Sequence, residues 1–440
     1  MNGGLSRREF LAAAASLPVA AQIASAEFAF AVSPALDVAR PSASAREYLA
    51  RLKARRLSEL LDDVVPFWTE HSIDREKGGY LTCLGRDGKP YDTFKQMWMQ
   101  WREVWMFARL ANSPHGGSRF LPYAEQGFDF LFRRGRKKDG GYWYMLDRDG
   151  NPTGDSDGGQ EVFTESFAAI GCAELYRATG REEYRAEAES AYAIYKEKTR
   201  GAEAPSIEFP ARRTYVQLAY PMIELNVLQV MRAAFGGRAE GIADAVRRIR
   251  RFRNPESGLV FERAPAEGGF DLETQRGRFV NPGHALEGCA FLQRELREKP
   301  DPDLGRFVLD VTRRMLEWGW DDEQGGIRYR TDALGLPLAE NDAPLKAWWP
   351  QAEAMTAALG AYELSGDEWF LDFFRRIDEY CDAHLRDKGR SEWFAYAKID
   401  GRQFHSYKGS RFKGFFHVPR HLLDTVEAVE RIERNGVAVV

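Results

Sequence analysis

Gly78-Gly79-Tyr80, Gly140-Gly141-Tyr142 and Gly325-Gly326-Ile327 are three copies of one signal, and the segment downstream of each copy decides the fold. After the first come a short extended stretch, a second turn at Arg86-Asp87-Gly88-Lys89-Pro90 and a long helical pattern. After the second, Asp147-Arg148-Asp149-Gly150-Asn151-Pro152 repeats that turn, and after the third Asp332 and Gly335 stand in its place. Weaker copies begin near Ser257-Gly258 and Ser391-Glu392-Trp393, and a poor one lies near Ser206-Ile207-Glu208. A unit recurring every about 50 to 70 residues marks a repeat architecture.

Between the turns the sequence reads as helix. Phe94, Met97, Trp98, Trp101, Val104, Trp105 and Ala108 fall on one stripe at spacings of three and four, with Asp92 placed to cap the helix. Each unit has room for two helices, and six helical hairpins closed in a ring make an all-α (α/α)6 barrel, with short β-hairpin loops at one end. An open helical solenoid is the competing arrangement of the same units.

Counting from each turn to a polar residue in the following apolar helix start gives Arg102, Glu165, His284, Glu353 and His417, with Asn226 from the poor copy. Equivalent positions in a ring point at a common axis, so these residues are expected to form a polar floor. His284 lies in Asn281-Pro282-Gly283-His284-Ala285-Leu286-Glu287, where the three-residue spacing puts Glu287 on the face of His284. A histidine so held suits proton transfer near neutral pH. His417 starts another helix with Pro419 in its first turn, and His421 follows at helical spacing. With no third ligand apparent nearby, a metal pair is not expected, and His421 reads as a surface histidine. Arg102 shares the stripe of Trp98 and Trp105, so its guanidinium either pairs with a buried carboxylate such as Glu165 or faces a ligand oxygen. Trp348 and Trp349 beside Glu353 offer broad faces of the kind that pack on sugar C–H groups.

Composition narrows the classes. Among 440 residues, 62 Lys plus Arg against 66 Asp plus Glu leave a formal charge of −4, which selects no polyanionic partner. The hydrophobic share of 44% excludes disorder. Cys83, Cys172, Cys289 and Cys381 lack the short paired spacings of zinc or disulfide scaffolds. Ser6-Arg7-Arg8-Glu9-Phe10-Leu11 followed by an Ala-rich apolar stretch and small-residue cleavage candidates reads as a twin-arginine export signal. Residues 1–31 are accordingly read as the signal, 32–45 as a Pro/Ser/Ala-rich linker and 46–436 as the barrel, with a periplasmic location expected for the mature chain.

The motifs also carry a family resemblance. Phe67-Trp68-Thr69-Glu70-His71-Ser72-Ile73-Asp74 through Gly88, Trp98-Met99-Gln100-Trp101-Arg102, Pro282-Gly283-His284 with Glu287, Lys346-Ala347-Trp348-Trp349-Pro350-Gln351-Ala352-Glu353, and Lys413-Gly414-Phe415-Phe416-His417-Val418-Pro419-Arg420 resemble the N-acylglucosamine 2-epimerase family, in collinear order. The resemblance implies an (α/α)6 barrel that interconverts sugars epimeric at C2, N-acetylglucosamine with N-acetylmannosamine among them, through an enediolate. It implies His284 and His417 as the two catalytic histidines, Arg102 as the catalytic arginine and Glu287 as the carboxylate partner of the first histidine. Asn226, Glu165, Trp348 and Glu353 are the expected substrate-binding positions.

Three departures bear on substrate and regulation. Gln351-Ala352-Glu353 stands where animal members have His-Ser-Glu, and the loop Ser406 to Phe412 lacks the second tryptophan of the disaccharide epimerases. The export signal is the third: some family members respond to ATP, of which the periplasm holds little, and no Gly-rich phosphate loop is present, so no nucleotide cofactor is expected. The expected partner is a small-molecule sugar, with neither nucleic acid nor membrane for the mature form, and a homodimer stays open. The rivals are an aldose–ketose isomerase on the same histidines, an (α/α)6 glycoside hydrolase using two carboxylates such as Glu165 and Glu353, and a non-catalytic sugar-binding protein.

Overall fold

Each repeat opens with a tight hairpin because one carboxylate or amide gathers the backbone of the turn. Asp74 Oδ1 accepts from Lys77 N at 3.1 Å, Asn254 Oδ1 from Ser257 N at 2.9 Å and Asp321 Oδ1 from Glu323 N at 3.2 Å. The hairpins then close through antiparallel bridges Ile73 to Tyr80, Arg136 to Tyr142, Arg253 to Val260, Trp320 to Ile327 and Arg386 to Trp393. The turn demands a left-handed residue: Gly326 has φ 76°, and a Cβ there would stand 2.6 Å from the Tyr380 ring. In the Ser391 copy that place is taken by Glu392 at φ 68°. The strain of roughly 1–2 kcal/mol is offset by its buried carboxylate, which receives Lys413 Nζ at 2.9 Å and the Trp68 indole N–H.

The computed structural model describes residues 37–154, 162–201 and 214–439. The export signal and the poor repeat copy near Ser206 fall outside these residues. Among the described residues the helices are, in chain order, α1 (Ala43–Ser58), continued by a π-helical turn into α2 (Val65–His71), α3 (Met97–Asn112), α4 (Leu121–Phe130), α5 (Phe163–Thr179), α6 (Glu182–Lys198), α7 (Ala219–Phe235), α8 (Ala239–Arg250), the single turn α9 (Gln275–Arg278), α10 (Pro282–Glu298), α11 (Pro302–Gly319), α12 (Trp348–Ser365), α13 (Glu368–His384) and α14 (His417–Asn435).

Two kinds of helix alternate. In α5 every residue from Thr164 to Leu175 is buried, and α12 is buried almost throughout, as a helix must be when it is covered on all sides. In α8 only Ile242, Ala245 and Ile249 are buried, a single stripe facing inward. The inner set α3, α5, α7, α10, α12, α14 packs neighbour on neighbour, and α4, α6, α8, α11, α13 and α1 cover it from outside. The ring closes between α14 and α3, where Arg109 reaches Asp424 at 2.5 Å and Glu427 at 3.0 Å, which rules out the open solenoid. Helix α3 starts at Met97, four residues later than the Asp92 cap implied, because Lys95–Gln96 is spent on a strand; Asp92 Oδ1 instead accepts from Phe94 N at 3.0 Å.

Short ladders stitch the units together at one end. β2 (Lys95–Gln96) pairs with β3 (Met145–Leu146), β4 (Tyr215–Gln217) with β5 (Arg263–Pro265), β6 (Phe279–Val280) with β7 (Thr331–Asp332), and β8 (Lys346–Ala347) with β9 (Tyr396–Ala397), all antiparallel. β2, β4, β6 and β8 each run into the first turn of an inner helix, so the N-termini of α3, α7, α10 and α12 share that end. β1 (Asp37–Ala39) pairs with β10 (Val437–Val439) and α1 begins at Ala43. The folded unit therefore begins inside the stretch read as linker and runs past 436. The four cysteines are buried and unpaired.

Candidate active site

One cavity of about 350 Å³ opens at the ladder end, and Arg102, His284, Glu287, Trp348 and His417 all line it. His284, Trp348 and His417 stand in the first turn of an inner helix, and Arg102 and Glu287 lie one turn farther along α3 and α10. Asn281 caps α10 by accepting from the His284 N–H at 3.2 Å, with Pro282 at the first helical position, and this fixes His284 one turn into the helix.

The carboxylate partner of His284 is Glu262, which corrects the assignment of Glu287. Both oxygens of Glu262 lie 3.0 Å from His284 Nδ1. Glu262 is pinned between neighbouring segments, its N–H donating to Phe279 O and its carbonyl accepting from Leu218 N, each at 2.9 Å. Glu287 instead accepts from Arg420 Nη2 at 2.5 Å, and the same nitrogen donates to Glu353 Oε1 at 2.5 Å. Glu353 in turn meets His417 Nδ1 at 2.7 Å, so it stands behind the second histidine and outside the cavity lining. Both rings thus engage a carboxylate through Nδ1, which leaves Nε2 as the lone-pair or proton-bearing atom for a ligand.

The two histidines differ in charge preference. Burial depresses the basicity of His284, but Glu262 outweighs it and the ring titrates above the ordinary histidine value. Burial, with Arg102 and Arg420 close by, drives His417 well below that value in spite of Glu287. At neutral pH His417 is a neutral base, and His284 is the one ready to hold a proton. Arg102 Nη1 lies 3.4 Å from His417 Nε2, and its guanidinium rests against the rings of Phe167, Trp98 and Phe416 at 4.2, 4.4 and 4.5 Å. The Trp349 ring stands near both histidines, at 5.1 Å from His284 and 5.6 Å from His417.

Other expected residues lie elsewhere. Glu165 is buried behind the site, accepting from Tyr142 N at 3.2 Å and Lys198 Nζ at 2.7 Å. It occupies the place of Gln100 and Gln351, whose Oε1 atoms accept from Tyr80 N and Ile327 N at 2.8 and 2.7 Å, so it braces a repeat turn, off the cavity lining, and pairs with Lys198 rather than Arg102. Asn226 is likewise off the cavity, accepting from Arg294 Nη1 at 3.2 Å; Met222 and Ile223, a turn earlier on α7, face the cavity in its stead. His421 is buried, not surface, with Nδ1 3.0 Å from Thr356 Oγ1 and a pKa pushed down to about 3 by burial. Ligand atoms of Glu287, Glu353 and His417 lie within 4.8 Å of one another, as metal ligands would. The Arg420 guanidinium already takes the cation's place between the two carboxylates.

The family model for N-acylglucosamine 2-epimerase matches residues 79–419. N-acylglucosamine 2-epimerase of Homo sapiens is 37% identical over 391 residues, covering 86% of this chain and 90% of that protein. Cellobiose 2-epimerase of Dictyoglomus turgidum is 25% identical over 370 residues, 78% of this chain and 90% of its own. The structure of cellobiose 2-epimerase from Spirochaeta thermophila superposes with a TM-score of 0.74 at 19% identity, covering 89% of this chain and all of that one, which shows the shared fold. The barrel, the histidine pair at its ladder end and these matches agree: the chain belongs to the N-acylglucosamine 2-epimerase family and is a carbohydrate 2-epimerase.

Proposed function

We propose that the protein interconverts N-acetylglucosamine and N-acetylmannosamine by moving one proton across C2, with His417 and His284 on opposite faces. The observation that carries this reading is the pair of Nδ1-anchored histidines on one cavity with opposite charge preferences. Neutral His417 takes the C2 proton through Nε2; the C–H electrons move into the C1–C2 bond and the aldehyde oxygen becomes an enolate oxyanion. The nearby Arg102 guanidinium stabilises that charge. His284, protonated on Nε2, returns a proton to the other face of C2, and the reverse reaction exchanges the roles. Where C2 carries oxygen the intermediate is an enediolate and can also collapse to a ketose. Where C2 carries an acetamido nitrogen, no ketose can form by that route.

Glu353 and Glu262 act as positioning residues, each fixing one tautomer through Nδ1. Glu165 is committed to Lys198 and Glu353 to Arg420, both outside the cavity lining, so this pair does not present the two opposed carboxylates of a hydrolase to a substrate there. The proposal extends to location: Arg7-Arg8 ahead of an apolar segment supports export of the folded enzyme to the periplasm. The reaction is tested in D2O by following C1 and C2 of N-acetylglucosamine by NMR. Epimerisation introduces one deuteron at C2 and gives N-acetylmannosamine; a protein that leaves C2 unlabelled is not acting by this chemistry.

A further inference from the structure

The ring closes where α14 meets α3, and these are the two helices that carry His417 and Arg102. Arg102 Nη1 stands 3.4 Å from His417 Nε2, although 315 residues separate the two in the chain, so only contacts across the closing joint fix that distance. Helices α3, α7, α10 and α12 are each entered from a strand that a ladder holds to a neighbouring unit, whereas α14 follows residues 398–416, which form no ladder strand. Nor does a side chain cap it locally: its N-cap is Phe416, where α10 has Asn281. Farther back, Lys408 N and Gly409 N donate to Leu84 O at 3.0 and 3.1 Å, which ties down the segment but not the helix start.

Glu103 supplies the missing tie. It follows Arg102 on α3 and is wholly buried; its Oε2 lies 2.6 Å from Ser72 Oγ, and its Oε1 accepts from the Phe415 N–H at 3.4 Å. Ser72 belongs to the first repeat turn, its carbonyl accepting from Leu81 N at 2.7 Å. The approach to α14 is close: a Cβ on Gly414 would stand 3.0 Å from Glu103 Oε1 and 2.7 Å from Met99 Cε. One side chain thus joins α3, the first repeat turn and the backbone two residues before His417. The next residue, Phe416, lays its ring on the Arg102 guanidinium at 4.5 Å, so a shift of this helix start moves His417 and the seat of Arg102 together.

No arginine, lysine or histidine offsets the charge of Glu103 among the described residues, and burial pushes its carboxyl up to about 8 against the pull of its two hydrogen bonds. At neutral pH it is a neutral acid, with one oxygen to accept from Phe415 and a hydroxyl to meet Ser72. A glutamine side chain reproduces that set of contacts.

We infer that Glu103 is a positioning residue for the reaction: it joins α3 to the start of α14 and thereby sets His417 against Arg102. The inference rests on the two-histidine reading proposed for this site.

The test compares Glu103→Gln, Glu103→Leu and Glu103→Asp, the last drawing the carboxyl back from Phe415 by one carbon. Epimerisation of N-acetylglucosamine is measured per folded enzyme, and the His417 ring is titrated by NMR. The Leu and Asp variants should lose roughly ten- to a hundredfold in kcat, the scale of a misplacement of about 1 Å, with KM changed by less than about twofold. Released from Arg102, the first of the charges that hold it down, His417 should titrate higher, which moves the acid limb of the rate profile to higher pH. The Gln variant should keep the kcat and the His417 titration of the wild type. Should the Leu variant fail to fold, the Asp variant carries the comparison. An unchanged kcat or an unmoved His417 titration in the Asp variant, or a Gln variant as slow as Leu, overturns the role. A wild type that does not epimerise would instead overturn the function reading, and the His417 titration would still test Glu103.

Discussion

Both carboxylate oxygens of Glu262 lie 3.0 Å from Nδ1 of His284, although the two residues belong to different segments and share no helical face. Because Glu262 is what raises the basicity of this ring, Glu262→Gln should lower the His284 pKa. Turnover in the direction that needs protonated His284 is lost as pH rises through that pKa, so the alkaline limb of the rate profile should move to lower pH. A fall in kcat of roughly ten- to a hundredfold near neutrality is expected. Rate–pH profiles of the two proteins check this.

Arg420 works on the other histidine. Its guanidinium neutralises Glu287 and Glu353 and helps hold His417 below its ordinary pKa. Arg420→Ala should raise the His417 pKa, so that activity dependent on the neutral ring begins to fall at higher pH on the acid side. Two buried carboxylates are left without their cation, and a stability loss of about 3–5 kcal/mol is expected from chemical denaturation.

Glu165→Ala separates scaffold from site. The change strands Lys198 Nζ and the Tyr142 N–H, at a cost of about 1–3 kcal/mol in denaturant titration. The folded variant should keep KM for the sugar, since Glu165 does not reach the cavity.

The repeat, and with it the barrel, was legible because each Gly-Gly-aromatic turn must satisfy a left-handed backbone whatever surrounds it. His284, His417, Arg102 and Trp348 were legible because inner helix starts point to one cavity. Glu262 was not, since its approach to His284 is made by a tertiary crossing with no periodic spacing. Its one signal was position: an acid on the extended stretch after the Ser257-Gly258 turn. Glu165 was misread by two residues of register, because Gln100 and Gln351 mark the bracing position and Arg102, two residues on from Gln100, faces the cavity. Asn226 failed by one helical turn, a shift that moves a side chain along the axis without changing its face.

The proposed export rests on the Arg7-Arg8 pair ahead of the apolar segment. Replacing Arg7 and Arg8 by lysine should leave folded, active precursor in the cytoplasm, as cell fractionation with an activity assay would show. Mature protein still reaching the periplasm would contradict the twin-arginine route.

If His284 and His417 serve opposite faces of C2, isotope exchange in the single Asn variants shows it most directly. With N-acetylglucosamine and N-acetylmannosamine incubated separately in D2O, each variant should lose roughly 100-fold or more in epimerisation, yet His284→Asn should still exchange the C2 proton of the epimer whose C2–H faces His417, and His417→Asn that of the other. Arg102→Ala should depress exchange from both. Near-normal epimerisation by both histidine variants, or loss of exchange from the same single epimer in each, would contradict the two-face mechanism.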